Sequence, residues 1–166
     1  MAVSYLLKIE EPEIKGESED KGYKDQLQLQ SWSWGAMNTG SAAVGRGLAT
    51  GKAQFQDFSF SIYLGKASAK LQNSLCQGIH HKTAILTCRK TTGASMPEKY
   101  LEIKFEDLVV SSYQTGGSPG DEGIPLENFT MNFAKYTFEY FEQDAKGALK
   151  GTGAVTYSVK EAEAKT

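Results

Sequence analysis

Few residues of this 166-residue chain have types and spacing that suit catalysis or metal binding. The two histidines, His80 and His81, are adjacent, and because neighbouring side chains on a strand point to opposite faces, both rings cannot easily join one metal site. The segment GRGLATG at 45–51 is one residue too long for the dinucleotide-binding GxGxxG, and a strand-like segment rather than a helix follows it. We therefore predict no enzyme, no metal and no cofactor.

Cysteines and carboxylates give weaker signals still. Cys76 and Cys88 are too few for a disulfide framework, and we expect two small buried apolar side chains, with a disulfide or a reactive thiol as the alternatives. The acidic residues Asp57, Glu106 and Asp107 have no spacing that shows two of them meeting across a cleft. We expect these carboxylates on a solvated face.

The charges nearly balance, with 18 basic and 20 acidic residues for a formal net charge of −2. A protein that binds nucleic acid through phosphates needs a basic surface, so nucleic acid is a poor partner. No stretch approaches the ~18 consecutive apolar residues of a membrane helix, and the N-terminal residues lack the features of a Sec signal peptide. We expect a single domain over 1–166, with a flexible tail at 160–166, that folds in the cytoplasm and needs another route for any export.

The apolar pattern has a period of two along most of the chain, which predicts strands. Its phase slips by one residue near Gln30 and Ser31, which predicts a bulge there or a strand packed on both faces as in an oligomer. It slips again between Phe133 and Tyr136, which predicts burial on both sides through a bend, a closed barrel or a subunit contact. With eight or nine such strands expected, the fold class is mainly β, a barrel or a sandwich. The predicted strands are 3–9, 25–34, 55–64, 83–89, 100–105, 108–113, 126–142 and 149–159.

One short helix interrupts the strands. Ser68 is placed to cap it, Leu71 and Leu75 lie four residues apart on one face, and Gly78 can provide the left-handed C-terminal stop. The glycine-rich segment 35–52 predicts a long flexible loop, and loops of this length in a compact domain are usually functional or disordered.

Six blocks in order cover nearly the whole chain: KGES at 15–18, SWSWG at 31–35, FQDFSF at 55–60, ASAKLQNSLCQG at 67–78, YLEIKFEDLVVSSYQTGGS at 100–118 and LENFTMNFAK at 126–135. No single block is diagnostic, but in this order and spacing they resemble the hemolysin-coregulated protein (Hcp) family, the inner-tube subunits of bacterial type VI secretion. The resemblance implies a β-barrel of two packed antiparallel sheets with one short flanking helix and a long extended loop.

The resemblance also implies an assembly, in which hexameric rings stack into a hollow tube inside a contractile sheath, with a VgrG spike at its tip and small secreted effectors in its lumen. Such a subunit is made in the cytoplasm and then secreted to the extracellular space or a target cell. The family's lumen position between the two tryptophans corresponds to Ser33 as a cargo contact, with Ser31 a weaker candidate. The family's extended loop reaches a neighbouring ring, and its counterparts here are Met37, Asn38, Thr39, Val44, Arg46 and Leu48.

Other functions stay open at this point. A monomeric β-sandwich could bind a small ligand or glycan through its loops, a phage tail-tube protein would share the architecture, and a secreted enzyme could use an unfamiliar site. The oligomeric state separates the first of these from a ring, because a hexamer has six times the mass of one chain.

Overall fold

The computed structural model shows an almost entirely antiparallel β-structure with a short helix, and it describes residues 3–38, 52–91, 97–120, 123–143, 149–161 and 163–165. The mainly β prediction is confirmed, although the predicted strands 100–105 and 108–113 form one continuous strand. In chain order the elements are β1 (Val3–Glu10), β2 (Leu27–Leu29), β3 (Ser31–Ser33), β4 (Ala36–Asn38), β5 (Ala53–Phe55), β6 (Phe58–Tyr63), α1 (Ser68–Gln77), β7 (His80–Lys90), β8 (Glu98–Thr115), β9 (Leu126–Gln143), β10 (Leu149–Ser158) and β11 (Glu163–Lys165).

The main sheet curls into a nearly closed barrel because one segment pairs with both of its ends. Around the sheet, β1, β7, β8, β9 and β6 are successive neighbours, while β2 pairs with β1 and β3 pairs with β6. The change of partner falls at Gln30, whose backbone N–H donates to the carbonyl of Ser61 at 2.8 Å. The first predicted phase slip is therefore an interruption between two short strands. The apolar side chains before and after this interruption pack against the same core; they are Leu27, Leu29, Trp32 and Trp34.

The second phase slip is a bend that three neighbouring strands share. At 82–83, 106–107 and 134–135, two consecutive residues lie off the core face of β7, β8 and β9. Asp107 accommodates the bend in β8 with a positive φ of 55°. The phase changes along β9 because the whole sheet coils around its core at this level. The core residues on either side of the bend are Ala84 and His81, Phe105 and Leu108, and Tyr136 and Phe133.

Aromatic rings fill the barrel. Phe58 packs edge-on against Phe105 with centroids 4.4 Å apart and stacks on Phe60 at 4.8 Å. Phe60 in turn stacks on Phe129 at 5.1 Å, and each of these four side chains is at most 1% exposed. Such pairs contribute roughly 0.5–1.5 kcal/mol each beyond the area they bury, so these rings are a main source of the barrel's stability.

The helix α1 ends as predicted but begins differently. Gly78 adopts a left-handed conformation with φ 60°, its N–H donates to the carbonyl of Leu75, and the next N–H donates to that of Ser74. The prediction that Ser68 caps the helix is wrong, because Ala67 occupies the cap position and no side chain caps it. The Ser68 hydroxyl instead accepts from the N–H of Gly65 at 2.9 Å and donates to a carboxylate of the sheet.

That carboxylate belongs to Glu127, which is wholly buried between α1 and the sheet. One oxygen accepts from the Ser68 hydroxyl at 2.8 Å and the other from the hydroxyl of Tyr113. Burial, followed by the bond to Glu127, raises the pKa of Tyr113 above its usual value. Removing either hydroxyl donor would leave a buried carboxylate short of partners, so this pair of bonds fixes α1 against the sheet.

The two cysteines differ in their surroundings. Cys88 is fully buried on β7, and burial raises the pKa of its thiol to about 12. Cys76 lies exposed on α1, so the expectation of a buried side chain is wrong for this residue. The helix turns Cys76 to solvent because Leu71 and Ser74 occupy its buried face.

The histidines point to opposite faces of β7, as predicted. His80 is exposed, whereas His81 is 1% exposed and joins three elements of the fold. Its Nδ1 lies 2.7 Å from the carbonyl of Pro12, which can only accept, so Nδ1 carries the proton. Nε2 therefore accepts from the hydroxyl of Ser74 on α1 at 2.7 Å.

His81 makes the fold sensitive to mild acid. Burial lowers its pKa below the ordinary value of about 6.5, so between these two pKa values the unfolded chain binds a proton that the folded chain does not. We expect the free energy of unfolding to fall as the pH drops below about 6.5 and this contribution to be absent above it. Urea unfolding of the wild type and of His81→Asn at a series of pH values above and below about 6.5 measures how steeply the free energy of unfolding of each protein depends on pH.

The comparison variant is His80→Asn, which removes the exposed ring and with it only the smallest of the causes that act on the pKa of His81. The pH dependence of its free energy of unfolding should therefore stay close to that of the wild type and differ from that of His81→Asn. Equal slopes in His81→Asn and the wild type would contradict the assignment of acid sensitivity to the buried ring.

Candidate functional site: a polar wall and a projecting arm

Four neighbouring strands, β3, β6, β9 and β8, place uncharged polar side chains side by side on the face that points away from the aromatic core, and all of them except the buried Ser61 are at least partly exposed. Directly opposed residues of antiparallel strands share a face, so the pairing register defines two rows across these strands. We call the eight residues the polar wall. The first row is Ser33, Ser59, Thr130 and Ser112, and the second is Ser31, Ser61, Asn128 and Gln114.

The polar wall differs from the outer face of β1, β7, the first half of β8 and the second half of β9, which we call the charged wall. There Lys135 contacts Glu106 at 3.4 Å, Lys104 contacts the same carboxylate at 3.8 Å, and Lys8 contacts Glu10. No member of the polar wall carries a charge. One side of the barrel can therefore form short-range hydrogen bonds without long-range attraction, while the other carries paired ions.

The structure confirms the alternation predicted at 31–34, because Ser31 and Ser33 are exposed while Trp32 packs half-buried against the core. The six other members of the wall were not predicted. A sequence signal for them exists, since each of the four strands carries a triplet of polar, aromatic and polar residues whose central rings are in register. The triplets are Ser31-Trp32-Ser33, Ser59-Phe60-Ser61, Asn128-Phe129-Thr130 and Ser112-Tyr113-Gln114.

The carboxylate of Asp57 lies beside this wall. Asp57, just before β6, accepts from the hydroxyl of Ser111 at 2.6 Å through one oxygen and from the side-chain amide of Asn132 at 2.8 Å through the other. Ser111 contacts Thr130 of the wall at 2.7 Å, and Thr130 contacts Ser112 at 2.6 Å. A bulge in β8 between Val110 and Ser112 turns both serines outward, which extends the network to the wall.

The three carboxylates singled out in the sequence do not form one site. Asp57 contacts Ser111 and Asn132, whereas Glu106 pairs with lysines and Asp107 contacts His80 at 3.3 Å. Among the described residues, no group of three or more His, Cys, Asp or Glu side chains could hold a metal ion.

The segment predicted as a loop from residue 35 begins as a strand. Ala36 lies opposite Phe55 and Asn38 opposite Ala53, so β4 and β5 form a two-stranded ladder, which we call the arm. Met37 and Asn38 are exposed on it. The other predicted inter-ring residues, Thr39, Val44, Arg46 and Leu48, lie outside the described residues.

Aromatic side chains hold the base of the arm against the barrel. Trp34 stacks on Phe55 with centroids 5.9 Å apart and an interplanar angle of 8°. Tyr136 packs against the indole at 4.8 Å, and Tyr157 packs against Phe55 at 4.8 Å. We call these four residues the aromatic anchor. Because the anchor includes residues of both β9 and β10, it sets the direction in which the arm leaves the barrel.

These features define a class of protein, a β-barrel with one neutral polar face and a strand ladder projecting beside it. The family model for the type VI secretion system effector Hcp matches residues 6–140. Protein hcp1 of Pseudomonas aeruginosa is 40% identical over 157 residues, which cover 95% of this chain and 94% of that protein. No helix in the described part of the chain is long and apolar enough to cross a membrane.

Solved structures agree with this result. A structure of a type six secretion system protein superposes with a TM-score of 0.90 at 28% identity, covering 99% of this chain and all of that one. Hcp1 from Salmonella typhimurium superposes with a TM-score of 0.78 at 28% identity, covering 99% of this chain and 100% of its own. The chain therefore belongs to the Hcp family of type VI secretion proteins.

The aromatic anchor predicts a local effect of Phe55→Ala. Full burial of a Phe makes its truncation cost ~3–5 kcal/mol, and for this half-buried ring we expect about 2 kcal/mol. The base of the arm should loosen, so trypsin should cleave after the exposed Lys52 several-fold faster than in the wild type, as followed by mass spectrometry.

Phe60→Leu is the control, because this ring lies in the barrel core away from the anchor. It should lower overall stability without accelerating cleavage at Lys52. An equal acceleration in both variants would show that the anchor has no specific hold on the arm.

Proposed function

We propose that this protein is a structural subunit of the type VI secretion tube, in which six copies form a ring and rings stack into a conduit whose bore is lined by the polar wall. Membership of the Hcp family supports the tube, and the observation that carries the assignment of the bore is the uncharged polar wall, which contrasts with the charged wall of the same barrel.

A lining in which uncharged groups predominate, with the Asp57 carboxylate at its edge, suits a conduit for physical reasons. A bore lined by charges would hold proteins of opposite charge and repel those of like charge over several ångströms. Hydroxyl and amide groups form hydrogen bonds at contact, each with a small net free energy because water competes for them. A protein inside such a bore is retained by several weak contacts and can still move along it.

The width of the wall fits a ring of six. Strands lie about 4.8 Å apart, so the four strands of the wall span roughly 19 Å, and six copies side by side would line a bore about 37 Å across. A small folded domain of 100 residues has a radius of gyration of about 13 Å, so cargo of this size fits inside.

In this proposal the arm forms the contact between one ring and the next ring of the stack. A head-to-tail contact that does not close generates a filament, and the exposed β4 of the arm offers a surface for such a contact with a neighbouring ring. Met37 and Asn38 of β4, with Thr39, Val44, Arg46 and Leu48, are the inter-ring candidates. Few of these are large apolar anchors of the kind that dominate strong interfaces, so each inter-ring contact is weak and assembly depends on the secretion apparatus.

The partners follow from the same proposal: further copies of the chain, contractile sheath proteins around the tube, a VgrG spike at its end and small secreted effectors in the lumen. The subunit has no catalytic role. It leaves the cell through the apparatus rather than by a Sec signal peptide. Ser33 contacts cargo in the bore, and Ser31 does so to a lesser extent.

Light scattering coupled to size-exclusion chromatography tests the ring. We expect a mass about six times the 18.1 kDa of one chain, and electron micrographs of the same sample should show six-fold rings with a central hole. A monomer at every concentration would overturn the proposal and favour a monomeric binding module.

Ser33→Glu tests the role of the polar wall. The longer side chain occupies space at the serine that contacts cargo, so the retention of a small effector co-expressed from the same secretion locus should fall by about tenfold, while the mass of the ring stays unchanged. The measurement is the amount of effector that co-purifies with rings.

Thr137→Glu places the same charge on the charged wall, opposite Lys104, and should leave effector retention at the wild-type level. Unchanged retention in Ser33→Glu would remove this serine from the cargo contacts.

A further inference from the structure

The network around Asp57 has a fixed order of protons. An ionised carboxylate only accepts, so the single hydroxyl proton of Ser111 goes to Asp57. The oxygen of Ser111 then accepts from Thr130, at 2.7 Å, and Thr130 in turn accepts from Ser112, at 2.6 Å. Every hydroxyl along this chain of bonds therefore donates toward the carboxylate.

The order of protons determines what the site presents to solvent. The Ser112 hydroxyl donates its only proton to Thr130, so toward solvent its oxygen can act only as an acceptor. The amide nitrogen of Asn132 is directed at Asp57, which leaves the carbonyl oxygen of that side chain as a second acceptor. With the remaining lone pairs of the carboxylate, the network offers mainly acceptors, and the second N–H of the Asn132 amide is the one donor left among these groups.

The site also carries a negative charge without a compensating cation. In the described part of the chain, Asp57 has no ion pair, and its two contacts are with the neutral side chains of Ser111 and Asn132. The adjoining polar wall has no charge to screen it. Asp57 itself is half-buried, so its carboxylate is held in place but remains accessible.

We propose that Asp57, Asn132, Ser111 and Ser112 form a binding site for a cationic side chain that donates several hydrogen bonds, an arginine above all, on a small secreted protein. The site rests on the proposed function, since it lies beside the polar wall in the bore. A planar guanidinium with five N–H donors matches a fixed carboxylate flanked by acceptors, whereas a lysine ammonium matches it less well.

The presence of one site on each of six subunits strengthens the binding of cargo. A ring of six copies presents six such carboxylates around the bore, so a cargo with two or more surface arginines can engage several at once. Each contact stays weak and exchanges quickly, which is compatible with release at the end of the conduit.

The test uses three fluorescein-labelled peptides of equal length, rich in Arg-Gly, Lys-Gly or Glu-Gly repeats, with binding to the wild-type protein measured by fluorescence anisotropy. We expect the arginine peptide to bind more tightly than the lysine peptide and the glutamate peptide not to bind. Asp57→Asn keeps the shape of the side chain and should weaken the arginine peptide about tenfold. The matched control Glu106→Gln removes one charge from the charged wall and should leave its affinity unchanged.

Asn132→Lys provides a second variant in case Asp57→Asn does not fold. It places a cation beside the carboxylate at an exposed position and should block the peptide to a similar extent. Equal weakening by Asp57→Asn and Glu106→Gln, or no binding to the wild type, would overturn the site.

Light scattering on the same samples separates the two proposals. A wild-type monomer whose binding still depends on Asp57 would retain the site and overturn the ring. A wild-type hexamer that does not bind the arginine peptide would retain the ring and overturn the site.

Discussion

The antiparallel register of β3, β6, β9 and β8 is the constraint on which both the core and the outer surface depend. It sets Trp32 beside Phe60, Phe60 beside Phe129, and Phe129 beside Tyr113. Because successive side chains of a strand point to opposite faces, the same register that brings these rings together also brings their polar neighbours together outside. A shift of one residue in any of these strands would expose the rings and bury the polar wall. Packing energy in the core therefore maintains the chemistry of the surface.

The division of the barrel into a neutral and a charged wall follows from what each pair of strands contributes. The charged wall carries lysine–glutamate contacts within a strand, as for Lys8 with Glu10, and between strands, as for Lys135 with Glu106, and such exposed pairs contribute little to stability. Because these ion pairs add little to the free energy of folding, the contrast between the two walls concerns the chemistry of the surface and not the stability of the fold. In the proposed ring, the charged wall faces outward and keeps the particle soluble, while the neutral wall meets cargo.

Much of the fold could be predicted because apolar periodicity reports directly on which side chains face the core. The period of two identified most strands, the C-terminal stop at Gly78 was predicted from its residue type, and both phase slips lie where the structure changes partner or bends. The pattern could not show that Gln30 marks a change of pairing partner, since that depends on strands distant in sequence. Ser68 was assigned to the wrong role because its partner, Glu127, lies 59 residues away. Within the site, alternation identified Ser31 and Ser33, but the other six members join them only through the register, which a single strand does not reveal.

The change of pairing partner at Gln30 has a consequence for how the barrel behaves under load. The two strands that close it are only three residues long on each side, far shorter than the eleven and eighteen residues of β7 and β8. Short ladders open at lower free energy than long ones. The segment that closes the barrel, residues 27–33, also contains the first strand of the polar wall, so a force on the adjoining arm acts on a short ladder rather than on the long strands.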